Sequence, residues 1–325
     1  MKRIKIYGTL GPACASVETL SKMLEAGMDG IRLNLSHAAL SDSSEWIEAY
    51  QKAADACGKA AELLIDMQGP ELRIGALKKP LLLEDGGTVP IGSIPFPEVV
   101  NPYLTDGQQV LLDDGKLLLK VYNGALTVLR GGALESRKSV ALPGCSIDTP
   151  AMTETDRRNL SEAVCFGVTG VMQPFVRSRE DLLAVRSALN DAGGRHIRLF
   201  AKIENRDGLS HLGELLPHCD EIVIARGDLG NAIPLWTLPA AQKRIASACK
   251  AANRDFTVVT QMLDSMIRRP VPTRAELSDV FNAVLDGASS VMLTGETAVG
   301  AYPVEAIRYL VKTVREAERY LEAAL

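Results

Sequence analysis

Short runs rich in isoleucine, leucine and valine recur along the chain, each followed by a polar loop and then by a stretch with apolar residues at helical spacing. The runs at 4–10, 30–35, 62–66, 168–176, 197–203, 221–225, 256–260 and 290–293 predict strands. Most are apolar at successive positions, which suits strands buried on both faces in a parallel sheet. Between them, helical spacing predicts helices over 16–26, 43–57, 153–166, 179–192, 207–216, 238–252, 273–286 and 303–323. Eight strand-helix units in strict alternation are what a closed (β/α)8 barrel of the α/β class requires.

One segment breaks this rhythm. From Arg73 to Ala141, between the third strand and its helix, glycine and proline recur (Gly86-Gly87, Pro90, Gly92, Pro95, Pro97, Pro102). Alternating stretches at 110–112, 116–122 and 125–129 flank the turn pairs Asp114-Gly115 and Asn123-Gly124, which predicts hairpins. The expected organisation is a barrel in two parts, 1–72 and 142–325, with a small all-β domain inserted at 73–141. Because the insertion leaves the carboxyl end of a strand, the face where barrels carry their chemistry, it is expected to act as a lid, with a merely decorative insertion as the plainer alternative.

Charge narrows the functional classes. The 325 residues carry 36 basic and 40 acidic side chains, a net charge of −4, which argues against nucleic-acid or anionic-membrane binding through bulk charge. No apolar run approaches the ~18 residues of a membrane span. The basic start, Met1 to Lys5, is interrupted by Gly8 and Gly11-Pro12 before any signal-peptide core develops, so a cytoplasmic location is expected. Six scattered cysteines form no C-x-x-C knuckle and read as reduced thiols.

The polar residues of interest fall just after the predicted strands, which places a site at the barrel mouth. Glu204 and Asp228, on neighbouring strand ends, suit a hard divalent cation such as magnesium or manganese; pairing with Lys202 or Arg226 is the plainer alternative. Lys202 lies two residues before Glu204 and so shares its face, where an ammonium would meet a phosphate or enolate oxygen. The glycines around Asp228, Gly227 and Gly230, offer backbone N–H groups to a small carboxylate with the Thr260 hydroxyl nearby, or else form an ordinary turn. Arg32 and Arg73 supply bidentate phosphate chemistry. Asn34, Ser36, Asp66 and the Met67 carbonyl offer an all-oxygen cage for a monovalent cation. No Walker-type phosphate loop occurs. His196, His211 and His218 fall away from the strand ends and read as surface or structural.

These blocks resemble those of pyruvate kinases: Gly8–Ala13, Arg32-Leu33-Asn34-Leu35-Ser36-His37, Asp66–Arg73, Asp113-Asp114-Gly115, Ser136-Arg137-Lys138, Lys202-Ile203-Glu204-Asn205, Ala225–Gly230, Thr260–Met266, Pro272–Glu276 and Met292–Ala298, in the family's order along nearly the whole chain. The resemblance implies glycolytic phosphoryl transfer between phosphoenolpyruvate and ADP, giving pyruvate and ATP. It makes Lys202, Thr260 and Arg32 catalytic, with Lys202, Gly227, Asp228 and Thr260 on the substrate. Arg32, Asn34, His37, Arg73, Lys138 and Asp114 would serve the nucleotide, Asp114 when the lid shuts. Glu204 and Asp228 would hold Mg2+ or Mn2+, and Asn34, Ser36, Asp66 and Met67 would hold K+, a reading that Glu71 favours over a potassium-independent relative. Dimerisation through the barrel is the family's habit.

Departures from the family pattern cluster around nucleotide and lid: Gln173-Pro174 in place of Ala-Ser, with Ala38, Asp42, Glu135, Ser139, Ala141 and Ala232 at other unusual positions. They leave nucleotide preference and the enol-phosphate substrate open. The sequence ends at Leu325, after the eighth expected helix, so the family's carboxyl-terminal domain, and allosteric control through it, are expected to be absent. Two other readings stand beside the kinase: a metal-dependent lyase or aldolase working through a pyruvate enolate, and a non-catalytic regulatory relative.

Overall fold

The computed structural model describes residues 3–36, 38–145 and 147–323. Eight parallel strands close into a barrel in chain order: β1 (Lys5–Thr9), β2 (Gly30–Asn34), β3 (Glu62–Asp66), β4 (Val168–Gln173), β5 (Arg198–Ile203), β6 (Glu221–Ala225), β7 (Asp255–Val259) and β8 (Ser290–Met292), with β8 returning to pair with β1. The barrel interior is filled by Tyr7, Leu64, Met172, Phe200, Val223, Ala225, Val259 and Met292. A Cβ on Gly30 would come 2.7 Å from the Tyr7 ring, and one on Gly170 would come 2.7 Å from both Leu64 and Phe200. These two glycines make the room that the aromatic rings fill.

Helices lie where the apolar spacing predicts them, from Val17–Glu25 to Pro303–Ala323. Two expectations are corrected. The helix expected over 207–216 breaks at His211 into Arg206–Ser210 and Leu212–Leu215, and the His211 ring donates from Nδ1 to the Arg177 carbonyl at 3.0 Å. The strand expected to reach residue 176 ends at Gln173, because Pro174 has no N–H for the ladder and Phe175 adopts φ 52°.

The segment after β3 forms a five-stranded antiparallel sheet in the spatial order Val140–Ala141, Gln109–Leu112, Leu117–Tyr122, Ala125–Arg130, Thr88–Pro90, beside a two-stranded ribbon of Leu81–Leu83 and Gly132–Leu134. Asn123-Gly124 closes the hairpin that pairs Tyr122 with Ala125, both residues at positive φ as a type I′ turn demands. Pro90 is tolerated because it lies on an edge strand. This unit has a hydrophobic cluster of its own, including Ile74, Leu83, Val110, Leu119 and Leu134. Its entry and exit run side by side: Val140 N donates to Leu72 O at 2.7 Å and Ile74 N to Lys138 O at 2.9 Å.

Candidate functional site

The carboxyl ends of β2, β3 and β5 bring Arg32, Asp66 and Lys202 together inside the mouth of the barrel. Asp66, 2% exposed, accepts from Arg32 Nε at 2.9 Å and Nη2 at 2.6 Å, and from Lys202 Nζ at 3.0 Å. Lys202 reaches Glu204 Oε1 at 2.9 Å with the same ammonium. Glu204 also accepts from the Phe175 amide at 2.8 Å and lies beside Asp228, which opens onto the cleft. A chain of charge therefore runs Arg32, Asp66, Lys202, Glu204, Asp228 across the rim.

The electrostatics differ along that chain. Burial opposes the charge on Asp66, but Lys202 and Arg32 outweigh it and hold the carboxyl below its usual range. Burial likewise works against the Lys202 ammonium, and Asp66 and Glu204 overcome it and raise the pKa. Glu204 goes the other way. Burial, opposed by Lys202 and reinforced by the like charges of Asp228 and Asp66, pushes it up to about 7. Asp228 is raised too, by its enclosure under the rim first and, against the pull of Lys202, by Glu71 and Asp114. Two adjacent carboxyls that resist joint ionisation are a site deficient in positive charge.

Arg32, Asn34, Ser36, Asp66, Met67, Arg73, Asp114, Lys202, Glu204 and Asp228 all line one cavity of about 150 Å³, so most of the residues singled out in the sequence converge. Asn34 Oδ1 accepts from the Ser36 amide at 3.2 Å, and Arg73 pairs with Glu71 at 2.8 Å. Gly227 and Thr260 sit next to each other at the ends of β6 and β7, where a Cβ on Gly227 would lie 3.0 Å from the Thr260 methyl. Lys138 stands apart on the inserted unit, bound to Asp113 at 3.0 Å and Glu135 at 3.6 Å. His37 lies outside the described residues. Arg226 does not pair with the rim acids; it turns to the Thr260 carbonyl and to Asp279. Among the described residues no three His, Cys, Asp or Glu side chains converge as a complete metal shell.

Several supporting residues escaped the reading of the sequence. Buried Asp156 accepts from the amides of Gln68 (2.9 Å), Gly69 (3.1 Å) and Thr153 (2.8 Å), which fixes the loop after β3. The only trace of this in the sequence is the Thr153-x-x-Asp156 capping pattern. Glu276 accepts from the Ser265 amide at 2.7 Å and Glu296 from the Leu263 amide at 3.0 Å, fastening the loop after β7. At the unusual Gln173-Pro174, Gln173 donates to Asp181 O at 2.9 Å, and Pro174 packs so closely that a Cβ on Gly69 would lie 2.4 Å from its ring.

Fold and rim together define a (β/α)8 barrel protein with a β unit inserted after the third strand, and with cations and carboxylates gathered at its carboxyl end. The family model described as "Pyruvate kinase, barrel domain" matches residues 1–93 and 92–307. The chain belongs to the pyruvate kinase family. It is 37% identical over 340 residues to a pyruvate kinase of Geobacillus stearothermophilus, covering 99% of this chain and 58% of that protein. Similarity to a pyruvate kinase of Mycobacterium intracellulare is 40% over 340 residues (99% and 72%), and to one of Aeropyrum pernix 37% over 332 residues (98% and 71%). The chain thus spans between 58% and 72% of the length of these three relatives.

Proposed function

We propose that the chain transfers a phosphoryl group between phosphoenolpyruvate and ADP, giving pyruvate and ATP. The observation that carries this reading is the Lys202 ammonium held between Asp66 and Glu204, with the Asp228 carboxyl beside Glu204 at the cleft. Phosphoryl transfer is mostly positioning and charge neutralisation, and this rim supplies both signs of charge at close range.

Glu204 and Asp228 fit a magnesium or manganese ion, since two carboxylates leave the remaining positions to substrate oxygens and water. When bound, that ion would neutralise charge on the carboxylate and transferring phosphoryl oxygens. Asn34 Oδ1, Ser36, Asp66 and the Met67 carbonyl are oxygen donors suited to potassium, and these residues line the same cavity. Arg32 and Arg73 hold nucleotide phosphates, with Asp114 of the inserted unit beside them. Lys202 meets the negative charge that collects on the migrating phosphoryl group and on the enolate oxygen as the P–O bond breaks. Gly227 and Asp228 offer amides to the substrate carboxylate, and Thr260 stands near the methylene carbon, which then gains a proton to give pyruvate.

The inserted unit works as a lid over this cavity. Dimerisation through the barrel belongs to the same proposal and is read from the mass in solution, as does a cytoplasmic location. No described helix is long and apolar enough to cross a membrane.

The test is an assay that couples pyruvate to its reduction, with ADP, phosphoenolpyruvate, magnesium and potassium. The unaltered protein should turn over, and Lys202→Met should lose about 10³-fold in kcat, the scale of a preorganised charge removed from a transition state. Equal turnover in the two proteins contradicts the assigned role.

A further inference from the structure

Thr260 occupies a backbone region that a β-branched residue rarely adopts, φ 80°, and Gln261 follows it at φ 54°. Surrounding structure has to hold such a pair in place. The guanidinium of Arg226, 11% exposed, donates to the Thr260 carbonyl from Nε at 3.1 Å and Nη2 at 2.7 Å. Nη2 also reaches the Gln261 carbonyl at 3.3 Å and Met262 Sδ at 3.0 Å. Two successive left-handed residues thus present two successive carbonyls to one planar fork. The other arm, Nη1, is anchored on Asp279 Oδ2 at 2.6 Å, on the helix Arg274–Leu285.

The rest of this loop is fastened independently. Glu296 takes the Leu263 amide, and Glu276 takes both the amide and the hydroxyl of Ser265. Arg226 instead bonds residues 260–262. A lysine could supply the charge but not two parallel donors aimed at adjacent carbonyls.

We propose that Arg226, braced by Asp279, is a positioning residue that sets Thr260 in its left-handed conformation and so fixes the direction of its side chain, methyl against Gly227. It does not pair with the rim acids and acts through Thr260; the inference rests on the phosphotransfer reading of the site. Misplacing a group near a reacting atom by about 1 Å costs on the order of 100-fold in rate.

The experiment is a double-mutant cycle in the coupled assay. Arg226→Gln should lower kcat by about 10- to 100-fold and leave KM for phosphoenolpyruvate within about twofold. Asp279→Asn, made from outside the barrel, should act in the same direction and less strongly, and it serves if the arginine variants fail to fold. Added to Thr260→Ala, Arg226→Gln should cost less than about twofold more, because the group it positions is gone. Multiplying effects in the double variant, or wild-type kcat in Arg226→Gln, overturns the proposal. If the unaltered protein transfers no phosphoryl group, the reading of the site fails instead. The positioning claim then rests on a crystal structure of Arg226→Gln or Asp279→Asn: a Thr260 displaced from φ near 80° supports it, and one left in place overturns it.

Discussion

The two ends of the barrel both carry ionised side chains inside a largely apolar cylinder, and they handle them oppositely. At the amino end, Glu62 accepts from Lys5 at 2.6 Å, from the Tyr7 hydroxyl at 2.9 Å and from Arg198 at 3.3 Å. Glu221 accepts from the hydroxyls of Thr257 (2.5 Å), Ser290 (3.0 Å) and Ser289 (3.2 Å) and faces Arg198 at 3.5 Å, while that guanidinium also lies 4.8 Å from the centre of the Phe200 ring. Two acids meet two bases there, and hydroxyls take up the remaining oxygens. At the carboxyl end, Asp66 is balanced by Arg32 and Lys202, but Glu204 has the far side of the same ammonium and the Phe175 amide, with the like charge of Asp228 beside it. A closed polar network of the first kind holds the fold. An open one of the second kind leaves carboxyls that a cation would balance.

Substitutions at the two ends should therefore separate activity from stability. Glu204→Gln is expected to abolish metal-dependent turnover, about 10³-fold or more, while leaving the stability of the metal-free protein within about 1 kcal/mol, because it relieves one like-charge contact as it weakens the bond to Lys202. Arg198→Met at the other end should do the reverse. It strands Glu62 and Glu221 with fewer partners and should cost about 2–3 kcal/mol in urea unfolding, below the usual range for a fully buried pair because Arg198 keeps some exposure, with kcat unchanged at 25 °C. Loss of turnover in Arg198→Met without loss of stability would erase the distinction between the ends.

How much of this the sequence discloses follows from the range of the interactions. The barrel strands are legible because burial on both faces leaves unbroken runs such as Glu221-Ile-Val-Ile-Ala225, and the hairpin at Asn123-Gly124 is legible because its turn chemistry is local. Lys202, Glu204 and Asp228 are legible because strand ends of a barrel converge on one rim. What stays hidden depends on side chains reaching distant backbone. Nothing near Asp156 says that it takes the amides of Gln68 and Gly69, and nothing near Arg226 says that it bonds Thr260 rather than a rim acid. The short strands at Leu81–Leu83 and Thr88–Pro90 are too brief to show a period, and Lys138 is drawn to Asp113, a neighbour only in space.

The hidden contacts also make a prediction of intermediate size. Asp156→Ala leaves the Gln68 and Gly69 amides without their acceptor and removes the reciprocal half of the capping box that Thr153 and Asp156 form on the helix Glu154–Glu162, which should cost about 2–3 kcal/mol. Because that loop carries Met67 and borders the rim cavity, the loss should be accompanied by a rise in the potassium concentration giving half-maximal activity. Asp156→Asn, which keeps an acceptor oxygen, should recover part of both.

The smallest effect is a dependence on pH: burial raises a carboxyl at each end, Glu221 and Glu204, but only Glu204 stands where a divalent ion would compete with its proton. Glu204 titrates near 7 in the folded, metal-free protein, against about 4.3 when unfolded. A carboxyl raised in this way contributes stability that is complete below about pH 4.3 and is lost as pH climbs through about 7. A divalent ion must displace that proton, so magnesium should bind more tightly as pH rises, by about tenfold per unit below 7 if one proton leaves, with a plateau above. The rise in Tm on adding magnesium should therefore grow between pH 6 and 8, and Glu204→Gln should remove both the rise and its pH dependence. Arg198→Met should keep them, since no group at the amino end exchanges a proton for the metal. A magnesium-induced shift that is flat across this range would place the ion elsewhere than on Glu204.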